Sequence, residues 1–174
     1  MMCSYKRDTP KSTLEVREIK KKPYKKYKEF RQGVYKPVNS LKYKGAKLPR
    51  YLSSWELKFF KWCDRNPFVE SWSSENVYIP YVSPVDGKLH KYIVDNTVHI
   101  REGNKLVKYL IEIKPYKQTQ PPKNHGNKKR TTIIYENMTW SVNQAKWISA
   151  KRWADKNGYK FQIVTEKEFN LFTR

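Results

Sequence analysis

Acidic residues are scarce in this chain of 174 residues: 16 Asp and Glu stand against 37 Lys and Arg, for a net charge of +21. Such a field on so small a protein calls for a polyanionic partner. Apolar runs are short as well, and none approaches the roughly 18 residues that a membrane-crossing helix needs. The polar, lysine-rich N-terminus does not have the make-up of a signal peptide. A soluble, cytoplasmic protein without a membrane partner is therefore expected. With only Cys3 and Cys63, neither a disulfide framework nor a CxxC metal site is possible, and Cys63 reads as an inert core thiol. His90, His99 and His125 are not spaced as zinc ligands. Any metal here would be held by oxygen.

Aromatic residues are plentiful, with 13 Tyr, 6 Trp and 7 Phe. Together with the basic excess they favour nucleic acid as the polyanion, since no basic amphipathic helix suited to an anionic membrane is evident. The length is that of one domain with an arm. Residues 1–50 hold 16 Lys and Arg but 4 Asp and Glu, more than half of the net charge. This stretch includes KKKPYKKYK (20–28), lacks apolar periodicity and is broken by Pro10, Pro23, Pro37 and Pro49. It reads as a basic, tyrosine-rich N-terminal arm, 1–50, before a domain spanning 51–174. One account makes it a solubilising tail. The tyrosines among lysines favour the other, an arm that orders along a phosphate backbone or a protein partner through Lys20, Lys21, Lys22, Lys25 and Lys26.

From Ser53 the pattern becomes helical, with Trp55, Phe59 and Trp62 or Cys63 on one face and Asn66-Pro67 as the stop. VYIPYV (77–82) predicts a short strand followed by an SPVDGK turn. HKYIVDNTVHI (90–100) and KLVKYLIEIK (105–114) predict two strands of a hairpin. PYKQTQPPKNHGNKKR (115–130) is a basic loop without an acidic residue. A long helix is predicted from about Thr132 to Lys156, with Trp140, Ala145, Ile148 and Trp153 as buried candidates and Asn157-Gly158 as its end. YKFQIVTE (159–166) is a last strand and EKEFNLF a closing helical turn. Helix, three strands, helix, strand describes a small α/β or α+β sandwich with no internal repeat.

With the hairpin tip at Gly103-Asn104, Glu102 stands opposite Lys105 and Asp95 faces Glu112. Like charges across a hairpin repel, so this pair calls for a neutralising partner, most economically a divalent cation. Val94, Val98, Val107, Ile111 and Ile113 share one apolar face, while Asp95, Glu112 and Lys114 share the other, away from the core. A bulge at the turn would slip the register by one residue. Hard oxygen ligands suit magnesium or manganese, and Lys114 is placed to orient a water or to stabilise charge on a phosphate. Glu56 follows Ser53 at capping-box spacing, which by itself makes it a cap, though a carboxylate fixed at a helix end could also reach a metal.

Taken in order, these residues resemble the PD-(D/E)xK nuclease superfamily, with an acid on a helix, Asp on one strand and Glu-x-Lys on the next. The blocks SSWELKFFKWCDRNP, WSSENVYIPYVSPVDGKLHKYIVD and LIEIKPYKQTQPP are similar to the head-completion nucleases of tailed phages over roughly residues 50–165. The resemblance implies a restriction-endonuclease-like fold, shared with TnsA-type endonucleases: a mixed sheet of about four strands flanked by helices. It implies Asp95, Glu112 and the Ile113 carbonyl as ligands of Mg²⁺ or Mn²⁺, Glu56 as the helix-borne acid and further ligand, and Lys114 as a base or electrostatic aid. Gln118, in the Lys-Pro-x-x-Gln-Thr block, either touches DNA or orders the loop. Val94 stands where the motif's proline would be, at a loosely kept position.

The expected activity is thus metal-dependent DNA endonuclease cleavage during phage head completion. Double-stranded DNA would be held by the arm and by Lys117, Gln118, Lys128, Lys129 and Arg130, with portal, neck or other head-completion proteins as further partners. The setting would be the host cytoplasm during assembly, with retention in the virion head or neck as an extension. Two rivals are a non-enzymatic head or neck protein that keeps a nuclease fold to bind DNA, and a restriction-type or mobile-element endonuclease.

Overall fold

The computed structural model describes residues 32–123, 126 and 128–169. Lys20, Lys21, Lys22, Lys25, Lys26 and His125 lie outside the described residues.

Two short strands, β1 (Gly33–Val34) and β2 (Arg50–Tyr51), pair antiparallel ahead of helix α1 (Ser54–Arg65). Ser53 caps α1, its hydroxyl accepting from the Glu56 amide at 3.2 Å, and the helix stops at Asn66 because Pro67 disfavours a further helical turn. Next come β3 (Val69–Ser74), β4 (Tyr78–Val82), β5 (Leu89–Ile93), β6 (Asn96–Glu102) and β7 (Lys105–Ile113). A short 3₁₀ turn (Tyr116–Thr119), helix α2 (Arg130–Asn157), β8 (Tyr159–Val164) and α3 (Glu166–Phe169) complete the described chain.

The main sheet runs β3-β6-β7-β8, antiparallel except for the parallel β7–β8 pair that α2 bridges. This is a mixed four-stranded sheet with helices on its faces, a restriction-endonuclease-like fold. Its membership differs from the expected one. Tyr78–Val82 lies outside the main sheet and pairs instead with β5 as a separate two-stranded ribbon. The segment 90–100 is two strands, because the chain bends at Val94–Asp95. The fourth strand is β3, whose small polar residues and shifted register between Val69 and Ser71 hide any clean alternation. The β6–β7 hairpin has the expected register, Glu102 opposite Lys105, with Gly103 at φ 60° in the left-handed conformation that such a tip requires.

Both faces of the sheet are covered. On one, Val69, Trp72, Val98, Ile111, Ile113 and Val164 pack with Phe59, Phe60 and Cys63 of α1. On the other, Leu110 packs with Ala150 and Ala154 of α2 and with Ile79, Tyr81 and Tyr92 of the ribbon. The face carrying Glu112 is therefore a second core surface and does not point away from the core. Val94 belongs to this second cluster because the bend removes it from the ladder. On α2 the buried stripe is Asn143, Trp147, Ala150 and Ala154. Trp140, Ala145 and Trp153 are half-buried at its margins and Ile148 is 51% exposed, since the two alanines let the helix approach where tryptophans could not. Gly158, at φ 72°, ends the helix.

Residues 33–50, within the stretch read as an arm, pack on the domain. Asp64 of α1 accepts from the Tyr35 hydroxyl (2.7 Å) and from the amides of Val38 (2.7 Å) and Asn39 (2.9 Å). The Tyr43 ring lies 4.7 Å from that of Trp72, and main-chain bonds join Lys42 and Lys44 to Trp72, covering the outer edge of β3. Among the described residues no helix is long and apolar enough to cross a membrane.

Candidate active site

Three elements meet where β7 ends. The ladder of β6 and β7 closes at Asn96 opposite Ile111, so Asp95 occupies the next position, beside Glu112 and Ile113. The bend is held there by the Asp95 carboxylate, which accepts the Ile113 amide at 2.7 Å, and by its own carbonyl, which accepts the Glu75 amide at 3.0 Å. Asp95 and Glu112 are thus neighbours by backbone geometry, and sequence counting placed them correctly. Glu112 is only 2% exposed. Its two oxygens have different partners: the Lys114 ammonium lies 3.0 Å from Oε1, and the Tyr92 hydroxyl donates to Oε2 at 2.5 Å.

Burial raises the Asp95 carboxyl, the Glu112 charge adds to this, and Lys114 and the Ile113 amide oppose it without cancelling it; the group is pushed up to about 7. For Lys114, burial disfavours the charged form, yet the carboxylates of Glu112 and Asp95 outweigh it and hold the ammonium above its ordinary range. Two carboxylates and one ammonium in a low-dielectric pocket thus leave an excess negative charge, which the protein handles by keeping a proton on Asp95 near neutrality.

Glu56 stands apart. Its carboxylate accepts from the Leu52 amide (2.7 Å) and the Ser53 hydroxyl (2.9 Å), a variant of the capping box in which the amide bonded is that of the residue before the cap. Its charge is nonetheless felt by both Asp95 and Lys114. Among the described residues no three His, Cys, Asp or Glu side chains converge as a metal cluster, so the structure brings Asp95, Glu112, Ile113 and Lys114 together and leaves Glu56 at the helix end. The donors at hand for a cation are the two carboxylates and the Ile113 carbonyl, all hard oxygens that fit magnesium or manganese.

Among the basic residues proposed for DNA, Lys117 and Gln118 are exposed on the 3₁₀ turn, and Lys129 and Arg130 are exposed at the start of α2. Lys128 differs: it is half-buried and bridges Glu136 at 2.6 Å and the Lys123 carbonyl at 3.2 Å, so it orders the loop. Tyr92 was missed by sequence reasoning. Its only signal was its place three residues before Asp95 on the inward side of the ribbon.

Residues 66–166 match the TnsA-like endonuclease N-terminal family, a span that runs from the end of α1 through β8 and contains Asp95, Glu112 and Lys114. The chain belongs to this family. It is also 41% identical, over 140 residues, to the head completion nuclease of Enterobacteria phage T4, an alignment covering 77% of this chain and 90% of that protein. The TnsA-like span leaves α1 outside it, so Glu56 lies beyond that match.

Proposed function

We propose that this protein is a divalent-metal-dependent DNA endonuclease acting in phage head completion, with Asp95, Glu112 and the Ile113 carbonyl as metal ligands. The observation that carries the reading is the convergence of Asp95 and Glu112 at the buried end of β7, where burial first and the neighbouring Glu112 charge second push the Asp95 carboxyl up to about 7. A pair built only for stability would not be left so poorly neutralised. Magnesium or manganese at this pair would supply Lewis acidity and lower the pKa of an attacking water.

Lys114 stays charged, so its role is electrostatic: it faces the phosphate as negative charge builds there, and its ammonium orients a water. Glu56 adds negative potential at the site's edge while fixing the start of α1. α2 leads from the C-terminal end of β7 back to the start of the parallel β8, so it begins on the side of the sheet where Asp95 and Glu112 lie, and its first three turns carry no fully buried side chain. Lys117, on the turn that follows β7, and Lys129 and Arg130, at the start of α2, are exposed cations on this side of the sheet, which suits a duplex laid across its end and held by its phosphates. The head-completion setting is carried over from the similarity to the head completion nuclease of phage T4, and portal or neck proteins are part of the proposal as partners.

Incubation of the purified protein with plasmid and linear DNA, in Mg²⁺ or chelator, tests the reading. Metal-dependent nicking that disappears in Asp95→Ala supports it. Cleavage undiminished by chelator or by that substitution refutes it.

A further inference from the structure

Glu112 is too deeply placed to leave either oxygen unpartnered, and its two partners are unlike. Lys114 reaches Oε1 on a long flexible stem and keeps 28% of its side chain exposed. Tyr92 reaches Oε2 from a rigid ring that is 4% exposed, paired across the ribbon with buried Ile79 and lying under the Lys146 ammonium at 5.7 Å. We propose that Tyr92 is a positioning residue that locks the Glu112 carboxylate by one oxygen, so that Oε1 alone is presented to a cation. The inference rests on the metal reading above.

Both oxygens need a partner at this depth, and the two partners differ in what they can do when a cation arrives. Lys114 is free to swing off Oε1 toward solvent, and in doing so it exposes that oxygen. Tyr92 cannot follow, because its ring is enclosed by the second hydrophobic cluster. The carboxylate then keeps its rotation about the Cγ–Cδ bond at the moment when its charged partner leaves. A ligand whose supporting hydrogen bond is removed typically loses 10- to 100-fold in metal affinity or activity.

Tyr92→Phe preserves the ring and deletes only the donor. The direct test is calorimetric titration of Mn²⁺ into the DNA-free protein, wild type against Y92F, with plasmid nicking as a function of Mg²⁺ and DNA affinity in chelator as companions. The expected result is roughly 10- to 100-fold weaker Mn²⁺ binding and a matching rise in the Mg²⁺ needed for half-maximal nicking, with DNA affinity unchanged. An unaltered Mn²⁺ titration in Y92F, whatever its melting temperature, overturns the proposal while leaving the metal reading intact. No Mn²⁺ binding by the wild type overturns both. Should Y92F fold poorly, a fluorotyrosine installed at position 92 keeps the packing and alters only the hydroxyl's acidity; a shifted Mn²⁺ affinity supports the proposal, and an unshifted one refutes it.

Discussion

The Lys114 ammonium sits 3.0 Å from Oε1 of Glu112, where it occupies one side of a carboxylate that is otherwise sealed from water. Removing it leaves an uncompensated charge in the core. Breaking a fully buried ion pair costs about 3–5 kcal/mol, and the partial exposure of Lys114 reduces this to roughly 1–3 kcal/mol. Lys114→Ala should therefore lower the melting temperature of the metal-free protein and reduce nicking about 100-fold or more, the scale of losing one electrostatic stabiliser of a transition state. Mn²⁺ should recover stability but not rate. Full activity in this variant would remove Lys114 from the mechanism.

Asp95 makes the site pH-sensitive in a definite direction. Its folded pKa, near 7, lies above the ordinary aspartate value near 3.9, so the folded state holds a proton that the unfolded chain has released. That contribution to stability is complete below about pH 4 and is lost as pH rises through 7. Metal binding must expel the same proton. Thermal melts of the DNA-free protein in chelator should show stability declining from pH 5 to pH 8 relative to Asp95→Asn, and Mn²⁺ affinity should rise over the same range. Parallel melting curves for wild type and Asp95→Asn would contradict this.

Much of the site was legible because a tight hairpin converts sequence distance into spatial register. Once Gly103-Asn104 is the tip, the pairing of Asp95 with Glu112 follows by counting, and the ladder obeys it as far as Asn96 opposite Ile111. The same counting could not see that the strand breaks at Asp95, since the break is imposed by a carboxylate bonding to the Ile113 amide on another strand. Nor could alternation reveal that the Glu112 face is covered, because its cover comes from α2 and from the β4–β5 ribbon. Strand β3 was invisible for a different reason: only Val69 and Trp72 supply its apolar contacts, and its pairing is irregular. Tyr92 looked like one more aromatic in a strand until the bend turned its hydroxyl toward Glu112.

Glu56 has two separable roles, and two substitutions divide them. Ser53→Ala removes the hydroxyl that accepts the Glu56 amide and should cost about 1 kcal/mol of stability with nicking largely kept. Glu56→Gln retains an acceptor for the Leu52 amide but deletes the charge felt at Asp95 and Lys114. It should melt close to wild type and nick roughly tenfold more slowly, about 1.4 kcal/mol in barrier. If Glu56→Gln cuts at the wild-type rate, the glutamate is a cap and nothing more.

Phosphate contacts by Lys117, Lys129 and Arg130 are readable from salt dependence. Each cation that touches a phosphate releases a counterion, so neutralising one lowers the slope of log K against log salt by roughly 1 and weakens binding across sequences alike. Lys117→Gln and Lys129→Gln should each do so in a chelator-based binding assay that keeps DNA uncut. Lys128→Gln should behave otherwise, lowering stability through the lost Glu136 bridge and loop contact while changing the slope less.

Asp64 tests how far the domain extends toward the N-terminus. A carboxylate in the last turn of a helix opposes the helix dipole, and this one is also 4% exposed, so its presence needs a compensating set of donors. Tyr35, Val38 and Asn39 supply three. Burial works against the charge, but these donors prevail and hold the carboxyl below its ordinary range. The stability it contributes is therefore present above about pH 4 and is lost as pH falls further. Asp64→Ala would leave two backbone amides and a hydroxyl without their acceptor, at roughly 1–3 kcal/mol for the hydrogen bonds to charge. Limited trypsin digestion should then cut faster at Lys42, Lys44 or Lys47 than in the wild type, where Lys42 and Lys44 are bonded along Trp72. Equal cleavage rates in the two proteins would mean that residues 33–51 are not held by Asp64.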